Sequence, residues 1–328
     1  MLRVIDITGP RALYRAIGFA AALAISMPAM AIDWDSVKGE DVTLFSPGQM
    51  TWEYILTASK HSTSKSVAKG TNCRECHHGE EKKIGQKIAS GNKHFGSAGT
   101  NAEPNPVPGN PGYIPVNVKF AHDNDRLYVR LAWKPTPQQA DMESDYAEAV
   151  AMMFSDGTVT ATKVAGCWSA CHVDMPNMPK AKKGVHLTKY LFKSRTKVSR
   201  AGGGEHYKSA DKLQALMDKH YFLELWRAEL NPGQPAKAVD GYVLDKRHMN
   251  DSPSVSAEGA MQNGEWVVVL SRKLDQGGAG HLALVPGKQY QVGFAIHDGH
   301  TEGRFHHVSF GYSFTLDSGK ADFVAEKQ

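Results

Sequence analysis

The sequence predicts a mainly β chain, a β-sandwich preceded by a small, irregular or helical N-terminal segment. Two observations point there. From residue 116 onward, short runs of alternating apolar and polar residues recur between turn signals, whereas helical periodicity is confined to one clear stretch. The runs 116–121 and 127–133 flank His122-Asp123-Asn124-Asp125 and read as a hairpin. Further strands are expected at 149–154, 242–244, 265–271, 289–296 and 307–316. Residues 209–220 read as a helix, because Leu213, Leu216 and Met217 share a face, and 221–226 is compatible with a strand. Many short strands with one or two helical insertions favour a two-layer sandwich over 113–328. Before it, 32–112 is polar and turn-rich. It ends in a Pro- and Gly-rich stretch, 101–115, that reads as a linker or an extended strap.

With 328 residues and 41% hydrophobic content, the chain has ordinary globular composition and ample core material. Disorder and a small disulfide-stapled scaffold are excluded on those numbers. A net charge of +4, from 38 basic and 34 acidic side chains, is too mild to suggest nucleic acid as a partner. Arg3, Arg11 and Arg15 precede an apolar run from Ala16 to Met27 that ends in Pro28-Ala29-Met30-Ala31. This pattern predicts a signal peptide over 1–31, cleaved after Ala31, and hence a periplasmic protein. The run is shorter than the roughly 20 residues that span a bilayer, and no later segment is apolar enough, so no membrane span is expected in the mature chain. An uncleaved anchor is the alternative.

In an oxidising space four cysteines would ordinarily pair as disulfides. Their local sequences argue otherwise. Cys73-Arg74-Glu75-Cys76-His77 is the C-x-x-C-H pattern of covalent haem attachment. Two thiols a turn apart add across the two vinyl groups on one porphyrin edge, and the adjacent His77 presents its imidazole to the iron. A bare C-x-x-C could be a redox disulfide or half a zinc site; the histidine decides the reading. Cys167-Trp168-Ser169-Ala170-Cys171-His172 carries one more residue between its thiols. Alone it would be a weak signal, but beside the first motif it reads as a second attachment site. The expectation is two covalently bound haem c groups, with His77 and His172 as proximal ligands.

A sixth ligand sets potential and chemistry at each iron. For the first haem, His61 lies a short distance upstream and His94 is the downstream competitor; His78 abuts the proximal residue and would point elsewhere. For the second, Met175 and Met178 follow the motif closely, and a methionine so near more often packs against the ring edge. The more distant cluster holds His297, His300, His306 and His307. Alternation places His306 on an apolar face with Val308, Phe310, Tyr312 and Phe314, so His306 is favoured, with His307 and Met175 in reserve.

The C-terminal two thirds, about 116–318, resembles the haem-binding domain of the ethylbenzene dehydrogenase gamma subunit and dimethylsulfide dehydrogenase gamma subunit family. The resemblance rests on the order of Leu127-Tyr128-Val129-Arg130-Leu131-Ala132-Trp133, Glu224-Leu225-Trp226-Arg227-Ala228-Glu229, Trp266-Val267-Val268-Val269-Leu270 and Phe294-Ala295-Ile296-His297-Asp298-Gly299. It implies a β-sandwich whose b-type haem is held by Met and Lys and receives electrons from a molybdenum enzyme. This chain departs from that pattern: 167–172 stands where the Met region would be, and the Lys falls at about His306 or His307. The resemblance therefore implies a covalent second haem with bis-histidine ligation. The N-terminal part, with Leu44-Phe45-Ser46-Pro47-Gly48-Gln49, His61 and the first motif, looks like the extra haem module of dihaem cytochromes built on this domain.

The functional expectation is a dihaem cytochrome relaying single electrons. Its partners would be redox proteins, such as a molybdenum enzyme or a membrane quinol-oxidising complex. There is no P-loop, no G-x-S-x-G and no H-E-x-x-H to support other catalysis. The competing expectation is a small dihaem reductase or peroxidase with one open iron face.

Overall fold

Phe120 on one strand and Phe294 on another, 174 positions apart in the chain, meet edge to face with ring centroids 6.4 Å apart in the centre of the fold. The computed structural model describes residues 32–95, 99–138, 144–197 and 206–328; the expected export signal over 1–31 lies outside them. Asp33–Gln328 forms one compact unit.

The elements run β1 (Gly39–Phe45), α1 (Trp52–Ile55), α2 (Ser64–Ala68), α3 (Cys73–His77), α4 (Glu81–Ala89), β2 (His94–Phe95) and β3 (Thr100–Asn101). There follow β4 (Tyr113–His122), β5 (Arg126–Trp133), β6 (Glu148–Ser155), α5 (Thr160–Ala165) and a 3-10 turn at Gly166–Ala170. The last part holds α6 (Ala210–Met217), β7 (Leu223–Leu230), β8 (Lys237–Val243), β9 (Arg247–Met249), β10 (Ser256–Gln262), β11 (Glu265–Lys273) and β12 (Tyr290–His297). It ends with β13 (His307–Val308), β14 (Tyr312–Leu316) and β15 (Phe323–Lys327).

Strand order in the main sheet is β10-β11-β5-β4-β1-β13-β12-β6-β7-β8-β9, and β14 with β15 links β12 back to β4. The result is a mainly β, sandwich-like body closed along one side. The pleat puts Val116, Val118, Phe120, Val129, Leu131, Val268 and Leu270 of one face against Val150, Met152, Phe154, Trp226 and Val292 of the other. Each such large side chain contributes about 1.5–3 kcal/mol on burial.

On β6 and β12 both sets of alternating residues are buried. That is why their sequences read as near-continuous apolar runs rather than as a clean alternation. Their outer residues, Met153 and Ala295, belong to a second core with Phe45, Trp52, Ile55, Cys73, Val164, Cys167, Trp168, Cys171 and Phe310. Both cysteine motifs thus sit in one apolar layer laid on the outside of the sandwich.

The strand expected over 307–316 is interrupted. β13 stops at Val308 and β14 starts at Tyr312. The break has a steric cause: a Cβ at Gly311 would stand 2.4 Å from the carbonyl oxygen of Lys163, so the chain must bend around α5 there. Phe310 consequently joins the outer core and Phe314 the inner one, instead of sharing a face with His306. The stretch 101–115 is a packed strap: Ala102 and Glu103 are buried, and Glu103 makes a two-pronged ion pair with Arg304 at 2.5 and 2.8 Å.

Candidate functional site

The first motif is a single helical turn, α3. Asn72 caps it through a capping box: the Asn72 side chain accepts from Arg74 N–H, and Glu75 reaches back to Asn72 N–H. The same Asn72 donates its amide to the carbonyls of Lys163, at 2.6 Å, and Gly311, at 3.0 Å. The cap therefore also fixes the motif onto the segments leading to the second motif and to β14. Cys73 is buried and Cys76 exposed, and both are free thiols.

Beside α3 lies a cavity of about 360 Å³ lined by Cys73, His77, His61, Met50, Ile55, Ile84, Phe45, Phe310 and Trp168. Lys60, Lys83, Lys87 and Lys93 also line it. The His61 and His77 rings have centroids 6.1 Å apart, tilted by 49°. An imidazole nitrogen lies about 2 Å from a bound metal ion and its ring centre about 1 Å further, so two imidazoles on opposite sides of one metal have centroids about 6 Å apart. The observed spacing matches. The ring nitrogens are sorted as well: His77 Nδ1 is 3.0 Å from Glu80 Oε2 and His61 Nδ1 is 3.4 Å from Thr63 Oγ1, so Nε2 is the nitrogen each ring could offer a metal. Burial, and then the neighbouring His77, hold His61 below the ordinary histidine value, which favours the neutral ring. His94 is exposed on β2 and does not line the cavity, and His78 is exposed too.

The second motif occupies the 3-10 turn after α5 and is pressed onto β12. Cys167, Cys171 and His172 are all buried, and neither thiol is in a disulfide. Cys167 is pushed up to about 12, chiefly by burial. Lys189 Nζ lies 2.7 Å from Cys171 Sγ.

His306 is buried. Its Nδ1 is 2.7 Å from the Arg304 carbonyl, and its Nε2 has no hydrogen-bond partner. A buried ring nitrogen with no partner suits a metal ligand. Burial, with His297 stacked on it at 5.0 Å, drives its protonation far below the ordinary range. Of the reserves, His307 pairs its Nε2 with Asn110 Oδ1 at 3.1 Å. Met175 accepts the His172 backbone N–H through its sulfur at 3.2 Å, on the motif's own side.

His172 itself is held at both ring nitrogens, by Glu53 Oε1 at 2.7 Å and by the Tyr190 carbonyl at 2.8 Å, with the Tyr190 ring stacked on it at 3.8 Å. His172 is thus engaged by Glu53 and Tyr190, and His306 by the Arg304 carbonyl and the His297 ring. Sequence reasoning missed Glu53, Asn72, Glu80 and Trp168. A capping box before C-x-x-C-H was the one signal for Asn72; the buried Glu53 left none.

Two curated relatives match nearly end to end. Cytochrome c-552 of Stutzerimonas stutzeri is 36% identical over 307 residues, covering 92% of this chain and 93% of that protein. Cytochrome c-551 of Rhodocyclus tenuis is 28% identical over 299 residues, covering 90% and 99%. Among solved structures, a carbohydrate binding module family 9 from Caldicellulosiruptor kristjanssonii in complex with cellotriose aligns at 7% identity over 60% of this chain and 65% of that one. Its TM-score of 0.27 is too low to argue from. The ethylbenzene dehydrogenase family model matches residues 31–309, from before β1 to just past β13, and so takes in both motifs and nearly all of the sandwich. By that match the chain belongs to the ethylbenzene dehydrogenase family.

Proposed function

We propose that this chain is an exported, periplasmic c-type cytochrome carrying two covalent haems, which relays single electrons between protein partners. The observation that carries the reading is the pair His61 and His77, set 6.1 Å apart across a cavity that Cys73 lines. The two relatives, each named a cytochrome c, support it.

In this reading Cys73 and Cys76 would form the thioethers at the first site, and His77 and His61 would ligate its iron. Cys167 and Cys171 form those at the second, with His172 and His306 as ligands. A haem bound there supplies reversible one-electron exchange at its iron. The protein does the rest. Glu80 and Thr63 fix the ring orientation of the first pair, while Phe45, Phe310 and Trp168 keep water from the apolar wall. Glu53 holds His172 Nδ1, and His172 Nε2 must exchange its bond to the Tyr190 carbonyl for the iron. The partners in this reading are redox proteins, with a molybdenum enzyme or a quinol-oxidising complex as donor or acceptor.

Intact mass after denaturation tests the proposal. Two haem increments are expected, and none or one would overturn the two-haem reading. The second reading, a small dihaem enzyme with one open iron, is favoured by the engagement of both His172 ring nitrogens, with Glu53 and the Tyr190 carbonyl. Rapid CO binding to the reduced protein would select it over the pure carrier.

A further inference from the structure

One side chain belongs to both motifs. Trp168 stands between Cys167 and Cys171, so its backbone is part of the second motif, yet its indole is a wall of the first cavity together with Cys73 and His77. The ring is 4% exposed and held at both ends: Nε1 donates to the Met50 carbonyl at 2.9 Å, and the ring meets Phe45 edge-on at 5.7 Å. Phe45 packs on Phe310 at 4.8 Å, and Phe310 lies nearly parallel to the His77 ring at 6.2 Å. Backbone bonds tighten the same junction, since Trp52 N–H donates to the Cys171 carbonyl at 3.0 Å. A large polarizable ring is thus fixed where the second motif meets the first cavity.

We propose that Trp168 is the electronic bridge between the two haem sites, a role that rests on the two-haem reading. One electron leaves a ferrous iron at one site and arrives at a ferric iron at the other. The first iron is oxidised and the second reduced; no bond breaks and no proton moves. The indole stays in its closed-shell state and serves as the medium between the two. Trp168 is a positioning residue in this account and not a ligand.

The test uses the full holoprotein, Trp168→Phe and Trp168→Leu. Denaturing mass is measured first: a wild-type protein without two haems sinks the underlying reading before any kinetics. Optical spectra and midpoint potentials then show whether ligation and driving force are kept. Photochemical injection of one electron reports the internal equilibration rate. With two haems, unchanged spectra and unchanged potentials, the Phe variant should equilibrate severalfold more slowly and the Leu variant more slowly still. Wild-type rates in the variants that load both haems would overturn the proposal. Should the Leu variant fail to load, the Phe variant, which keeps an aromatic ring in the wall, decides alone.

Discussion

The side-chain amide of Asn72 donates to the carbonyl of Lys163 at 2.6 Å, across 91 positions of sequence. One residue thereby caps the turn bearing Cys73 and ties it to the helix that leads into Cys167. Asn72→Ala removes a helix cap and leaves the carbonyls of Lys163 and Gly311 without this donor, a cost of about 2–3 kcal/mol. Asn72→Asp keeps the cap but turns a carboxylate toward those carbonyls, so it should rescue little. Denaturant unfolding of the loaded protein measures both, and full stability in the Asp variant would contradict the bridging role.

If the proposed two-haem reading holds, His61→Ala should leave the first haem attached, because its thioethers do not depend on the sixth ligand. The iron should turn from low to high spin, seen in the ferric absorption and electron paramagnetic resonance spectra. A wholly low-spin variant would exclude His61.

Gly293 of β12 touches the second motif directly. An added Cβ would lie 2.3 Å from Cys167 N and 2.6 Å from Gly166 Cα, both backbone atoms that cannot step aside. Gly166 in turn sits at φ +56°, in the left-handed region that favours glycine. Gly293→Ala should destabilise the protein by about 1–3 kcal/mol through overpacking. In the proposed two-haem reading it should also lower haem content at Cys167 and Cys171 while the first site stays loaded, which proteolytic mapping of the haem peptides would reveal.

Glu148 carries a pH dependence. Burial first, and Asp298 beside it second, push its carboxyl up to about 10 from an ordinary value of 4.5. The folded chain keeps this proton while the unfolded chain releases it, so stability falls as pH rises from about 4.5 toward 10. Glu148→Gln should flatten that decline and raise the melting temperature at pH 8 by a few degrees. Identical slopes of melting temperature against pH in both proteins would refute the assignment.

Much of this architecture is legible before any coordinates. The alternating runs at 116–121, 127–133 and 265–271 became β4, β5 and β11, because one face of each is buried and the other is not. β10 was invisible for the opposite reason: Ser256–Gln262 is largely exposed and contains Gly259, so no apolar period marks it. β1 escaped notice because Val42 and Leu44 stand in a polar segment and acquire their partners only from β4, far along the chain. At the site, cysteine and histidine spacing named the candidate ligands. What fixes them came from elsewhere: Glu53 lies 119 positions from His172, and no local pattern encodes a contact of that range.

The burial of the second motif bears on how the protein is made. Cys167 and Cys171 are 1% and 2% exposed beneath the N-terminal segment, while Cys76 stands open to solvent. In the proposed two-haem reading, a porphyrin destined for the inner pair has to arrive before the N-terminal segment packs over it, with Trp52 N–H on the Cys171 carbonyl and Glu53 on His172. The outer site can be finished later. Biogenesis would then run against chain order, the downstream motif being loaded first, and a chain that closes early would trap its inner thiols bare.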